Sequence, residues 1–154
     1  MYAIPFKLVL LGEITLPYTE ESTPQARKAV NAWLGDSHPA SYDTRLAVSE
    51  LVTNSVRYAT RSAEGRIIVR LYDCGHFVHV EVQDRGSTTI PRVQTAMAMG
   101  EEFKEGGRGL FIVDSISTEW GLRFRRQADA TIVWCDIAVD RSATETPLPG
   151  SMGL

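Results

Sequence analysis

The sequence predicts an α+β fold: a two-layer sandwich with helices on one face of a mixed, mainly antiparallel sheet. Three observations predict it. Two pairs of alternating apolar and polar segments read as hairpins, "RIIVRLYD" with "HFVHVEVQD" and "TEWGLRFRRQ" with "ATIVWCDIAV". Between a first strand and the first hairpin, two stretches carry apolar residues at helical spacing. A third helical stretch is entered through glycines, so the predicted order is strand, two helices, hairpin, long loop, helix, hairpin.

Each element has its own signals. Phe6 to Leu16, "FKLVLLGEITL", is apolar, branched and partly alternating, which reads as a strand with an irregularity at Gly12. Thr23-Pro24 reads as a helix N-cap followed by proline at the first helical position. In the helix that follows, Ala26, Val30 and Trp33 or Leu34 share a face, and Gly35 ends it. A second helix is expected from about Tyr42 to Ala59, with Leu46, Ala47, Leu51 and Val52 as its core stripe. The first hairpin turns at Cys74-Gly75 and ends at Asp84-Arg85-Gly86. The following stretch, "STTIPRVQTAMAMGEEFKEGG", has no clear period, and a loop of that length in a small domain is usually functional or mobile. "RGLFIVDSIS" is the third helix.

Length and composition bound what the chain can do. Its 154 residues suit one domain, expected over 1–140, and the Pro-, Thr- and Ser-rich residues 141–154 are expected to be a disordered tail. With 44% hydrophobic and 23% charged residues, a single core is expected. A net charge of −3 gives no electrostatic reason to expect direct nucleic-acid binding. Cys74 and Cys135 are too few for a disulfide framework and lack zinc-ligand spacing, which fits a reducing, cytoplasmic setting. The apolar start lacks a basic n-region and is interrupted by Glu13, so it reads as a strand and not a signal segment. No apolar run approaches the roughly 18–20 residues a membrane span needs.

Three short motifs carry candidate chemistry. In "SELVTNSVRY", Glu50 and Asn54 stand one helical turn apart on one face. The amide oxygen suits Mg²⁺, and the acid can orient or deprotonate a nucleophile; a solvated helix face explains the same pair. In "VQDRGS", Asp84 at a strand end can accept from an exocyclic amine while Gly86 admits a ring close to the backbone; a plain turn is the other explanation. In "EGGRGLFIVD", glycines opening a helix expose N–H groups at its positive end and Arg108 adds a fork for phosphate oxygens; a hinge explains the glycines as well. No Lys-Ser/Thr follows, so the segment is not a Walker loop.

Taken in order, these motifs resemble the N, G1 and G2 boxes of the GHKL ATPase superfamily, whose domain is the Bergerat ATP-binding fold. "SELVTNSVRYA", "VQDRGS", "GGRGLFIVDSISTEWG" and "TIVW" look like its anti-sigma-factor serine/threonine-protein kinase branch, and most of all like the stand-alone ATP-binding regulators of actinobacteria. The resemblance covers roughly Phe6 to Val139. It implies ATP and Mg²⁺ as ligands, with Asn54 binding the metal and Glu50 as the catalytic carboxylate. It implies that Asp84 reads the adenine amine and that Gly86 lies against the base. Gly107, Arg108 and Gly109 would wrap the phosphates, Leu110 would begin the helix behind them, and Thr131 would lie near the adenine. Ser55 and Arg57 either line the pocket or face solvent. The family pattern has a glycine or small residue where this chain has Thr88, so adenine-side contacts are expected to differ there.

The implied function is an anti-sigma factor that phosphorylates Ser or Thr of an antagonist protein and otherwise sequesters a sigma factor. The alternative is a nucleotide-dependent docking module with negligible transfer, and retention of Glu50 favours the kinase. A free-standing histidine kinase is a lesser alternative, since no segment reads as a phosphoacceptor helix. Related kinases are commonly homodimers, which implies a dimer through the N-terminal strand.

Overall fold

Alternation of branched and polar residues sets the strands, and the hairpins close where the backbone can take a positive φ. The computed structural model of the chain describes residues 8–58, 65–85 and 108–139. Within them the order is β1 (Val9–Leu16), α1 (Ser22–Leu34), α2 (Ser41–Tyr58), β2 (Ile67–Asp73), β3 (Phe77–Asp84), α3 (Arg108–Ile116), β4 (Glu119–Arg125) and β5 (Ala130–Ala138). A single 3-10 turn, Arg126–Ala128, joins β4 to β5. The strands form one sheet in the order β1-β2-β3-β5-β4, and all four pairings among the described residues are antiparallel. This is the α+β sandwich the sequence predicts.

The core lies between this sheet and the helices. Val69 and Leu71 of β2, Val78, Val80 and Val82 of β3, and Cys135 and Ile137 of β5 pack with Val30 of α1, Val48, Leu51 and Val52 of α2, and Val113 of α3. The α2 stripe is shifted slightly from the predicted one: Val48 is buried and Leu46 only half-buried. Both cysteines are buried and free. Burial, with the charge of Asp136, raises the Cys135 thiol to about 12.

Turns and termini follow the residues that permit them. Gly35 takes φ 84° past the end of α1, and its N–H reaches the Asn31 carbonyl at 2.8 Å. Gly75 takes φ 84° in the β2–β3 turn, where its N–H is accepted by Asp73 Oδ1 at 2.8 Å. The predicted irregularity at Gly12 is a register shift between Leu10 and Gly12, and the indole of Trp33 lies where a Cβ at Gly12 would stand. The predicted Thr23 cap is corrected. Helix α1 begins at Ser22, because Thr19–Ser22 already turns through a 3.0 Å backbone bond, and Thr23 Oγ1 instead meets Thr53 Oγ1 of α2 at 3.2 Å. Pro24 is tolerated there because the first N–H groups of a helix have no intrahelical partner.

The other face of the sheet carries charge. Arg70 bonds Glu13 at 2.7 Å and Gln83 at 3.0 Å, and Arg123 bonds Glu81 at 2.8 Å. His79 sits between Asp136, 2.6 Å away, and Glu81, 3.1 Å away. No described helix is long and apolar enough to cross a membrane.

Candidate functional site

Helix α2 presents Glu50 and Asn54 on successive turns of one face, both half-buried. What meets Glu50 is Gly109, the second residue of α3. A Cβ at 109 would stand 2.8 Å from Glu50 Oε2, so a side chain there would push the carboxylate aside. The glycine thus lets the first turn of α3 close on the acid. Leu110 is buried in the core cluster and Val113 follows it one turn later, which fixes α3 in that position.

The second half of the site is built where α2 crosses the end of β3. Asp84 closes β3 and stands directly opposite Thr131 of β5 in the register. The hydroxyl of Ser55, the residue after Asn54, donates to Asp84 Oδ2 at 2.6 Å. Ser55 is only 4% exposed and so does not face solvent, whereas Arg57 is exposed. One turn of α2 therefore touches both the α3 terminus, through Glu50, and the β3 end, through Ser55.

Sequence reasoning missed Tyr18. Its hydroxyl accepts the N–H of Arg85 at 3.1 Å and points to the Arg66 carbonyl at 3.4 Å, tying the segment between β1 and α1 to the residue after Asp84. Burial raises the Tyr18 phenol pKa, with the Asp84 charge adding to it, against the lowering effect of the Arg85 N–H bond and charge. Nothing in the "LPYTE" segment marks the tyrosine for this place; the contact exists only once the sheet is formed. Arg108 opens α3, but its side chain lies outside the described residues, as do Gly86, Thr88, Gly107 and the rest of the loop between β3 and α3. Residues 141–154 lie outside them too.

So the described structure sets Gly109 against Glu50, with Asn54 one helical turn further along the same face, and Ser55 against Asp84, which stands opposite Thr131 in the sheet; α2 carries both halves. A family model described as "Histidine kinase-like ATPase domain" matches residues 16–136 of the chain. The chain belongs to this family. All the residues just named fall in the matched span of the histidine kinase-like ATPase domain. Among curated proteins, the Serine-protein kinase RsbW of Listeria innocua serovar 6a is 32% identical to it over 90 residues. That stretch is 53% of this chain and 57% of the relative, so this ATPase domain spans little more than half of the relative's length.

Proposed function

We propose that the chain is an ATP-dependent regulator of the anti-sigma type, which transfers the γ-phosphoryl group of ATP to a Ser or Thr of an antagonist protein and otherwise holds a sigma factor. The observation that carries this reading is the seating of Gly109 against the Glu50 carboxylate, which closes a glycine-opened helix terminus on the face that also bears Asn54. Similarity to a serine-protein kinase supports the choice of acceptor. A cytoplasmic setting goes with such partners.

The donor set fits an adenine nucleotide with Mg²⁺. Among the described residues no three His, Cys, Asp or Glu side chains gather into a metal site. An ion at the Asn54 amide oxygen would therefore draw its remaining ligands from phosphate and water, which is how Mg²⁺ commonly sits beside a nucleotide. When bound, the ion neutralises charge on the phosphates. Asp84 accepts a hydrogen bond from the adenine amine, with Thr131 beside it and Gly86 against the base. Gly107, Arg108 and Gly109 bind phosphate oxygens, the first turn of α3 supplying backbone N–H groups at its positive end.

Glu50 does the proton work. The acceptor hydroxyl attacks the γ-phosphorus, its O–P bond forms as the bridging P–O bond to ADP breaks, and its proton passes to the Glu50 carboxylate and on to solvent. The test is incubation with labelled ATP, Mg²⁺ and candidate antagonist proteins, followed by a search for phosphoserine and phosphothreonine. Labelled acceptor is the expected result. Nucleotide and partner binding with no transfer to any partner would replace the kinase by the docking module.

The same reading extends to assembly. Leu8, Val9 and Leu10 at the β1 edge of the sheet are about half exposed or more, which gives a second copy an apolar edge to pair with.

A further inference from the structure

Asp84 can read an amine only if its carboxylate is held in the right rotation, and a carboxylate about its terminal torsion is poorly restrained by its own rotamer preferences. The structure restrains it from two sides. From α2, the Ser55 hydroxyl donates to Asp84 Oδ2 at 2.6 Å, a short bond of the kind an oxygen donor makes to a charged acceptor. From the segment after β1, the Tyr18 hydroxyl accepts the N–H of Arg85 at 3.1 Å, which fixes the backbone directly after Asp84. Ser55 is 4% exposed, so water does not compete for its hydroxyl, and a carboxylate has lone pairs enough to take a further donor.

We propose that Ser55 is a specificity-determining positioning residue: its hydroxyl fixes the rotation in which Asp84 accepts from the 6-amino group of adenine. The proposal rests on the reading of Asp84 as the base-recognition group. It also gives the α2 turn a double use, with Asn54 turned to the phosphate side and Ser55 to the base side. A guanine base, which presents a carbonyl at that position, would face a fixed acceptor and be rejected by it.

The experiment compares ATP with purine riboside 5′-triphosphate, the same nucleotide without the 6-amino group, by calorimetry in the presence of Mg²⁺. It uses the wild type, Ser55→Ala, Asp84→Asn and the double variant. The wild type is expected to prefer ATP. Ser55→Ala should weaken ATP binding by about ten- to a hundredfold, the range for losing a hydrogen bond to a charged group, and change binding of the purine analogue by less than about twofold. In the Asp84→Asn background the Ser55→Ala substitution should no longer change the ratio, and with Asp84 intact Ser55→Thr, which keeps the hydroxyl, should retain the wild-type preference. Equal losses for both nucleotides in Ser55→Ala would make Ser55 a packing residue only and overturn the proposal while leaving Asp84 in place. A wild type that binds both nucleotides equally would remove the Asp84 reading and the proposal with it. If Ser55→Ala is too unstable to titrate, Ser55→Cys, a weaker donor of similar size, should lower the ATP preference in the same direction, and an unchanged preference in it would overturn the proposal.

Discussion

Glu50 and Asn54 share a helical face, yet in the proposed reaction they act at different moments. A base that contacts the nucleophile matters mainly in the transition state, whereas a metal ligand matters in the bound complex as well. Glu50→Gln is therefore expected to lower phosphotransfer by about a hundred- to ten-thousand-fold with little loss of nucleotide affinity, read from single-turnover kinetics beside calorimetry. Asn54→Ala should weaken both. Wild-type transfer by Glu50→Gln would remove the catalytic role, since a glutamate on a solvated face would leave activity unchanged. Gly109 gives a sharper separation of fold from chemistry. An added methyl would stand 2.8 Å from Glu50 Oε2, the far end of a flexible side chain that can yield cheaply. Alanine is also the better helix former by up to about 1 kcal/mol. Gly109→Ala should thus keep or raise the melting temperature while lowering transfer, and a variant with full activity would show that the carboxylate need not stand where it does. Of this site, Glu50 and Asn54 were legible because their four-residue spacing is itself the geometry. Ser55 with Asp84 and Tyr18 with Arg85 were not, because these partners lie 29 and 67 positions apart and meet only through packing.

The elements were legible where one local signal was unopposed. Alternation, strict in β3 but not in β2 or β5, together with branched residues gave both hairpins, and Gly35 and Gly75 marked the helix end and the turn that their positive φ values now occupy. The start of α1 was misplaced because Thr-Pro matches a cap pattern while the preceding Thr19–Ser22 turn has no comparable mark. Gly12 shows how a local irregularity serves a distant element. The shift between Leu10 and Gly12 lets the α1 indole of Trp33 lie against the strand backbone. Gly12→Ala places a methyl inside that ring, and neither the backbone nor the indole can move without disturbing the α1 contact. A loss of about 1–3 kcal/mol is expected, the usual cost of overpacking, measured by denaturant unfolding. An unchanged midpoint would mean that Trp33 swings away freely. The β1 edge carries a different expectation. If the edge pairs with a second copy, Leu10→Lys should convert a dimer to a monomer in light scattering at high micromolar concentration, because a charge on an edge strand opposes pairing. A wild type already monomeric there would remove the dimer.

At the scale of the whole molecule, the sheet keeps its two faces chemically apart. The helix-covered face bears the proposed site, and the opposite face bears the network of Glu13, Arg70, Glu81, Arg123, His79 and Asp136. Its hub is His79, whose ring stacks on Trp134 with centroids 5.7 Å apart. Burial disfavours the charged imidazole, but hydrogen bonds to Asp136 and Glu81, with the charges of the same carboxylates, outweigh it and raise the pKa to about 9. Burial likewise disfavours the Glu81 carboxylate, while His79 and Arg123 overcome it and lower that pKa. A folded-state pKa above the unfolded one means that the folded protein holds the proton more tightly. The stabilisation is therefore complete below the unfolded imidazole value of about 6.5 and is lost as pH rises through about 9. Unfolding followed between those limits should show the wild type losing on the order of 1 to 3 kcal/mol relative to His79→Gln, which cannot titrate there. Because the network and the proposed site lie on opposite faces of the sheet, nucleotide affinity in the two proteins should stay within about twofold across the same window. Parallel stability curves for wild type and His79→Gln would mean that His79 is not charged between its two carboxylates, and the hub would then be an ordinary polar contact between β3 and β5.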